Sequence, residues 1–520
     1  MEREVMKANI VVFIASFCTL VIELVAGRIM APYVGVSLYT WTSIIGVVLA
    51  GISVGAYLGG RLADRYPHPA TLGWLLVLSG VGAFSIVPLV TLIGPAQWHL
   101  SFMLRILLTT TVVFFIPSCL LGMISPVVVK LALKNLSKTG NVVGKIYAFS
   151  TLGSILGTFA TGFFLIQWMG TRYIILVMGV ILILSGLVFG DLFKRKAAFA
   201  VLLAVIIPVA LALKGYAFKP RLDEETYFYK ESNYYTIKLK KTLSNRGNHL
   251  LESLILDNLI HSYTSLPNPL HLEYDYLRIY EELMKWQCAI RPSFRALFIG
   301  GGGYTFPRFM EAAYPQAEID VVEIDPAVTK VVKQFLGLPE TSRIRSVNED
   351  GRWFVMNARQ ERAYDFIFSD AFNDLSIPFH LTTKEFALQL KKTLKPDGLL
   401  MANVIDNLRK GRFLPSYIRT LEEAFGKGHV YLMTEDTEYS DTEISTYIVV
   451  ASPKKLDMSE FEKAMKGSKN GVAFSRVFPP SLLQEYLRSP QTIVLTDDYV
   501  PVDNLVAPIF EERFGYRRNQ

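Results

Sequence analysis

Four acids follow apolar runs in the second half of the 520-residue chain: Glu323, Asp350, Asp370 and Asp406. Carboxylates so placed can take ribose hydroxyls, hold an exocyclic adenine amine, orient an amine nucleophile or receive its proton. A lone acid after a strand is usually a helix cap, but four along one edge favour a site. Ahead of them, Ile299-Gly-Gly-Gly-Gly-Tyr304 places small residues where side chains would collide with a ligand. Gly300, Gly301 and Gly302 are therefore candidates for binding a nucleoside-type cofactor, with Glu323 suited to its ribose and Asp350 to its adenine. Asp370 and Asp374, in Ser369-Asp-Ala-Phe-Asn-Asp374, fall where the reacting part of a substrate would lie. His261 and His380 can each act as a base near neutral pH, or serve a hydrogen-bonded structural role. The late string Leu495-Thr-Asp-Asp-Tyr-Val-Pro-Val-Asp503 can bind a cation or cap a turn.

The elements that carry these residues follow from periodicity. Residues 296–299 read as a buried strand, Thr305–Ala313 as a helix with Phe306, Phe309 and Met310 on one face, and 319–324 as a second strand. Strand, glycine turn, helix, strand and an acid about 20 residues past the glycines is the first unit of a Rossmann-like nucleotide site. Beyond it the pattern alternates as an α/β sheet should: helix 328–335, strand 344–347, strand 365–369, helix 383–394, a turn at Pro396-Asp-Gly398 and strand 399–404. Residues 430–433 and 446–451 read as late antiparallel strands, and 461–467 and 480–487 as short helices. Upstream, 226–230, 234–239 and Leu250–Leu256 read as β, with a turn at Asp257-Asn258 and a helix over 276–284.

The first half is a different kind of polymer. Apolar segments at 10–30, 41–62, 71–93, 104–129, 146–169 and 173–193 can each cross about 30 Å of hydrocarbon, and a shorter seventh lies at 197–213. The first is too long for a cleaved signal and lacks its small-residue site. Residues 1–213 hold 14 Lys and Arg against 5 Asp and Glu, whereas the remainder holds 39 against 41. The basic balance thus belongs to loops between spans and is no nucleic-acid footprint. Eleven of those 14 cations fall on one side, which the positive-inside rule makes cytoplasmic. Seven crossings then leave the rest of the chain outside, in conflict with its chemistry. Gly51, Gly55 and Gly59, and Gly153 and Gly157, recur every fourth residue and suit close helix packing. Glu23, with Arg28 five residues on, is an intramembrane carboxylate: a functional candidate, or half of a packing ion pair. The three cysteines are far apart and have no metal or disulfide spacing.

The motifs together carry a resemblance. Ile299-Gly-Gly-Gly302, Val322-Glu-Ile-Asp-Pro326, Asp350-Gly-Arg352, Tyr364-Asp-Phe-Ile-Phe-Ser-Asp370 and Leu394-Lys-Pro-Asp-Gly398 resemble the spermidine synthase family over about residues 227–404. Gly144-Lys-Ile-Tyr-Ala-Phe-Ser-Thr-Leu-Gly-Ser-Ile-Leu-Gly157 and Gly162-Phe-Phe-Leu165 resemble its membrane-fused bacterial branch. Gly59-Gly-Arg-Leu-Ala-Asp-Arg65 is similar to a major-facilitator cytoplasmic loop. The implied fold is a polytopic α-helical membrane domain (1–213), then a linker and small β segment (214–290), then an α/β Rossmann-like, class I methyltransferase-like domain (291–520).

The resemblance implies aminopropyl transfer from decarboxylated S-adenosylmethionine to a diamine such as putrescine, without a metal. It makes Gly300, Gly301 and Gly302 the cofactor turn, puts Glu323 on the ribose and Asp350 on the adenine, and gives Asp370 the aminopropyl end or the acceptor amine. His261 and Tyr263 follow the β segment that lids the site and, with Asn373, are substrate-binding candidates. Two positions depart from the family. Gly303 stands where soluble synthases carry an acid that partners the cofactor's amine. Asn373 stands at their catalytic Asp, with Asp374 one residue further on. An S-adenosylmethionine-dependent methyltransferase, or a polyamine transporter with a sensing synthase-like domain, are the alternatives. The expected surroundings are a multi-pass plasma-membrane setting with the transferase on the cytoplasmic side, a small-molecule amine, the lipid bilayer, no nucleic acid, and a homodimer.

Overall fold

A computed structural model describes residues 2–514 except 36, 95–99, 134–138, 193–206, 208–221, 289–292, 358–361, 373–376, 436–443 and 467–474. Two compact units emerge, the first running to Asp223 and the second from Glu224 to Phe514 apart from Glu231–Asn233.

In the first unit the apolar segments form α1 (Glu2–Val34), α2 (Leu38–Arg65), α3 (Pro69–Ile93), α4 (Phe102–Gly122), α5 (Ile124–Ala132), α6 (Thr139–Ala160) and α7 (Ile166–Phe189). α4 and α5 are one apolar stretch broken at Met123, and a π-helical turn, Thr161–Leu165, follows α6. Six stretches are long and apolar enough to cross a membrane among the described residues. The seventh apolar segment, 197–213, lies outside them. The glycine repeats are packing surfaces: a Cβ on Gly55 would stand 2.9 Å from the Cys119 carbonyl carbon, and one on Gly153 would stand 3.0 Å from Phe13 Cα. Small residues let these backbones touch where lipid gives helices no hydrophobic reason to associate. No ion pair joins Glu23 to Arg28 among the described residues.

The second unit contains two sheets. β1 (Thr226–Glu231), β2 (Thr236–Leu243), β3 (Leu250–Leu256) and β4 (Leu259–Thr264) form a four-stranded sheet in that order. Asp257, with φ 52°, opens the two-residue turn between β3 and β4, and its Oδ1 accepts from Thr236 N at 2.8 Å. The turn tightens because Asp tolerates the left-handed region and ties back to the chain. After α8 (Asp275–Cys288) comes an eight-stranded sheet ordered β12-β10-β11-β9-β8-β5-β6-β7. Its strands are β5 (Arg295–Ile299), β6 (Glu318–Val322), β7 (Arg345–Val347), β8 (Tyr364–Ser369), β9 (Leu394–Asp406), β10 (Val430–Thr434), β11 (Ser445–Ala451) and β12 (Arg476–Val477).

β5 to β9 run parallel, while β11 and β10 pair antiparallel beyond β9. The expected Pro396-Asp-Gly398 turn is a bulge within β9: Tyr364 pairs with Leu394 and Phe366 with Leu399. Among the described helices, α8 packs on this sheet together with α9 (Thr305–Ala313), α10 (Pro326–Phe335), α12 (Lys384–Thr393) and α13 (Phe413–Phe425), while the short α11 (Gly351–Met356) follows β7. Ile237, Leu239, Leu254 and Leu256 of the small sheet share one core with Phe298, Val321 and Phe368 of the large one. Phe298 and Phe368 stack at 4.4 Å, holding β5 beside β8.

Candidate active site

β5 has β6 on one side and β8 on the other, so the connections diverge at β5/β8. In open α/β sheets, ligands bind beyond the carboxyl ends of strands at such a switch point. Gly300, at the end of β5, has φ 96°, and a Cβ there would stand 2.8 Å from the Asp370 carbonyl carbon at the end of β8. Gly302 has φ 48°, and a Cβ there would meet nothing within 4 Å. The turn is thus tight on its inner side and open on its outer one, a shape that lets a ligand approach the backbone.

Glu323 closes the turn. Its Oε2 accepts from Gly301 N (2.9 Å) and Gly302 N (3.2 Å), and its Oε1 from Asp325 N (3.0 Å). Burial raises its carboxyl above the usual range, and these three N–H bonds act in the opposite sense. Asp325 accepts from Ala327 N at 2.9 Å and caps α10. Asp350 is engaged twice as well: its Oδ1 caps α11 through Trp353 N (2.9 Å), and its Oδ2 lies 2.8 Å from His380 Nε2.

A cavity of about 270 Å³ opens beside the turn, lined by Gly300 to Gly303, Asp370, His261, Ser262, Tyr276, Tyr280 and Asn403 among others. Asp370 accepts from Tyr276 OH (3.0 Å) and Asn403 Nδ2 (2.9 Å). Burial raises its carboxyl pKa, and those two bonds pull it back. Burial, and then the Asp370 charge, raise both Tyr276 and Tyr280, so each phenol keeps its proton at neutral pH. His261 Nδ1 lies 2.9 Å from the Leu259 carbonyl, and burial pushes the imidazole down to about 4. That shift favours the neutral imidazole at physiological pH.

The other expectations divide. Tyr263 packs at a tilt against Tyr274, ring centroids 4.9 Å apart, and is not among the cavity-lining residues; its neighbours His261 and Ser262 are. Asn373 and Asp374 lie outside the described residues. Asp406 is tied into the chain: buried at the end of β9, it accepts from Asn407 N (2.7 Å) and from Leu414 N (2.6 Å) at the start of α13, and burial raises it to about 7. In the late string, Asp497 accepts from Arg352 Nη1 at 2.7 Å, an ion pair within the chain.

Sequence reasoning passed over Tyr276, Asn403 and Ser262. Asn403 had a usable signal, since it lies at the carboxyl end of a parallel strand. At Gly303 the space for a side chain is already taken: a Cβ would collide with the Ser262 hydroxyl and come within 2.7 Å of its Cβ.

Sheet order, glycine turn and buried carboxylate define a Rossmann-like group-transfer domain. Residues 280–442 match the spermine/spermidine synthase domain family. The chain is 27% identical over 213 residues to a polyamine aminopropyltransferase of Vibrio vulnificus, covering 41% of this chain and 69% of that one. It is 23% identical over 471 residues to polyamine aminopropyltransferase 2 of Aquifex aeolicus, covering 87% and 88%, a length that takes in helical-half residues as well. A Drosophila pseudoobscura pseudoobscura eEF1A lysine and N-terminal methyltransferase homolog is 30% identical over 184 residues, covering 34% of this chain and 26% of that one. By these similarities the chain is spermidine synthase-like, and the relatives that it resembles include polyamine aminopropyltransferases.

Proposed function

We propose that the second unit moves an aminopropyl group from decarboxylated S-adenosylmethionine to a diamine such as putrescine. The observation that supports this is Asp370, a carboxylate held by Tyr276 and Asn403 in a cavity that begins at the glycine turn. The acceptor nitrogen forms a bond to the methylene next to the sulfonium, and the carbon–sulfur bond breaks. Sulfur keeps the electron pair as a neutral thioether, and the new ammonium sheds a proton, for which Asp370 is the acceptor within reach. Gly300, Gly301 and Gly302 would face the adenosyl end, Glu323 would hold the turn and its ribose, and Asp350 the adenine side. Asp374, one residue past Asn373, is a second carboxylate for the acceptor.

A second reading, methyl transfer from S-adenosylmethionine, is favoured by Gly303, which offers no acid to a free cofactor amine. Purified full-length protein given putrescine and cofactor labelled in either the methyl or the aminopropyl carbon separates the two. Label from the aminopropyl chain in the amine product is expected; label only from the methyl group would replace this reading with the other.

We infer that the transferase lies on the cytoplasmic side of a plasma membrane, where adenosyl compounds are available to it. The six described stretches suited to crossing bring the chain back to its Lys- and Arg-rich side by Phe189, and segment 197–213 lies outside the described residues. Asn248 is exposed in the loop between β2 and β3. In a background lacking Cys18, Cys119 and Cys288, Asn248→Cys should resist an impermeant thiol reagent in intact cells and react after lysis. Labelling in intact cells would place the domain outside.

A further inference from the structure

Buried polar atoms in folded chains almost always have partners. This cavity has exceptions: His261 Nε2, Ser262 Oγ, Tyr280 OH and Asn403 Oδ1 are each buried without a hydrogen-bond partner. Two of the four have only one chemical sense. A carbonyl oxygen can only accept, so the His261 contact to Leu259 O puts the proton on Nδ1 and leaves Nε2 as a bare lone pair. Asn403 is oriented by donating its Nδ2 to Asp370 Oδ1, and the reverse orientation would face two acceptors. Its Oδ1 therefore presents a lone pair as well, on a side chain only 4% exposed. Asp370 supplies a third acceptor in the same cavity.

These three acceptors call for a ligand that brings N–H donors. We propose that His261 Nε2 and Asn403 Oδ1 are neutral acceptors that seat an N–H of the substrate amine beside Asp370. This deepens the aminopropyl-transfer reading and rests on it for the identity of the amine. Two neutral acceptors next to one carboxylate bind a primary ammonium without gathering further negative charge in a buried site. Burial keeps the imidazole uncharged, so His261 does not repel that cation.

The test uses two variants of one residue in the full-length, detergent-solubilised protein. Gln places its amide oxygen near the position of Nε2, so His261→Gln preserves the inferred acceptor. Asn reaches only as far as Nδ1, so His261→Asn preserves the bond to Leu259 O and removes the acceptor. Putrescine binding is measured by calorimetry, and its KM and kcat by transfer assay. His261→Asn should weaken putrescine about tenfold, the scale of one hydrogen bond to a charged group, with His261→Gln within about threefold of the parent. The opposite ranking, or two variants that both bind like the parent, would overturn the seat. Asn403→Leu should weaken putrescine at least as much as His261→Asn. Weakened putrescine binding in His261→Asn supports the seat even where the parent transfers no aminopropyl group, a result that would count against the transfer reading alone.

Discussion

The acids along the sheet edge fall into two neighbourhoods that treat hydrogen bonds in opposite ways. Around Glu323 and Asp350 the chain supplies its own partners: three backbone N–H groups for one, a helix cap and His380 for the other. Around Asp370 it leaves four buried polar atoms without any. An unmet buried group is destabilising by about 1–3 kcal/mol, so several in one cavity persist where a ligand completes them. The first neighbourhood shapes the turn; the second, on the proposed reading, is completed by the substrate.

The contrast can be broken at either end. Asp370→Asn should lower the transfer rate by at least about 100-fold, the lower bound for removing an acid–base group, while the unfolding temperature stays near the parent's. A variant within tenfold of the parent rate would end the assignment of Asp370 to the reacting end. Glu323→Ala should do the reverse. It strips the acceptor from three backbone donors, so denaturant unfolding should register a loss of about 3 kcal/mol, together with adenosyl binding weaker by about 1.5–3 kcal/mol. Unchanged stability there would make Glu323 a ligand group rather than a structural one. Gly303→Ala is an overpacking change against Ser262 and should lower stability by about 1–3 kcal/mol in the same measurement.

The smallest effect sharpens the contrast through pH. His261 has a folded pKa of about 4 against a model value of 6.5, so between those values the unfolded chain binds the extra proton. Its contribution is fully present above about pH 6.5 and is lost as pH falls toward 4. By pH 5.5 the parent should have lost about 1 kcal/mol that His261→Gln retains. Parallel stability curves for the two proteins from pH 7 to 5 would show that His261 is not desolvated.

Much of this was legible before any coordinates, for a reason that differs by region. The apolar segments and the strands β5, β6 and β8 are set by local periodicity; the strand ends moved by one or two residues, the helix ends further, with α1 beginning at Glu2 rather than 10 and α6 at Thr139 rather than 146. Helices Phe413–Phe425 and Val502–Phe514 went unread; each contains a proline, Pro415 or Pro508, which punctuates a sequence even where a helix tolerates it. Asp406 bonds to the chain that follows it, and an acid after a strand looks the same in sequence whether it does that or faces a ligand. Tyr276 and Asn403 reach Asp370 across 94 and 33 residues of chain, and no spacing rule connects them.

The fit between Gly303 and Ser262 also bears on how such a chain can change. Because a Cβ at position 303 meets both the hydroxyl and the Cβ of Ser262, shortening the serine to alanine does not make room; only glycine at 262 does. A side chain at 303 therefore requires Ser262 or the turn backbone to shift, and pairing it with glycine at 262 should relieve that strain. The two positions are coupled, so the cost of filling one depends on what stands at the other.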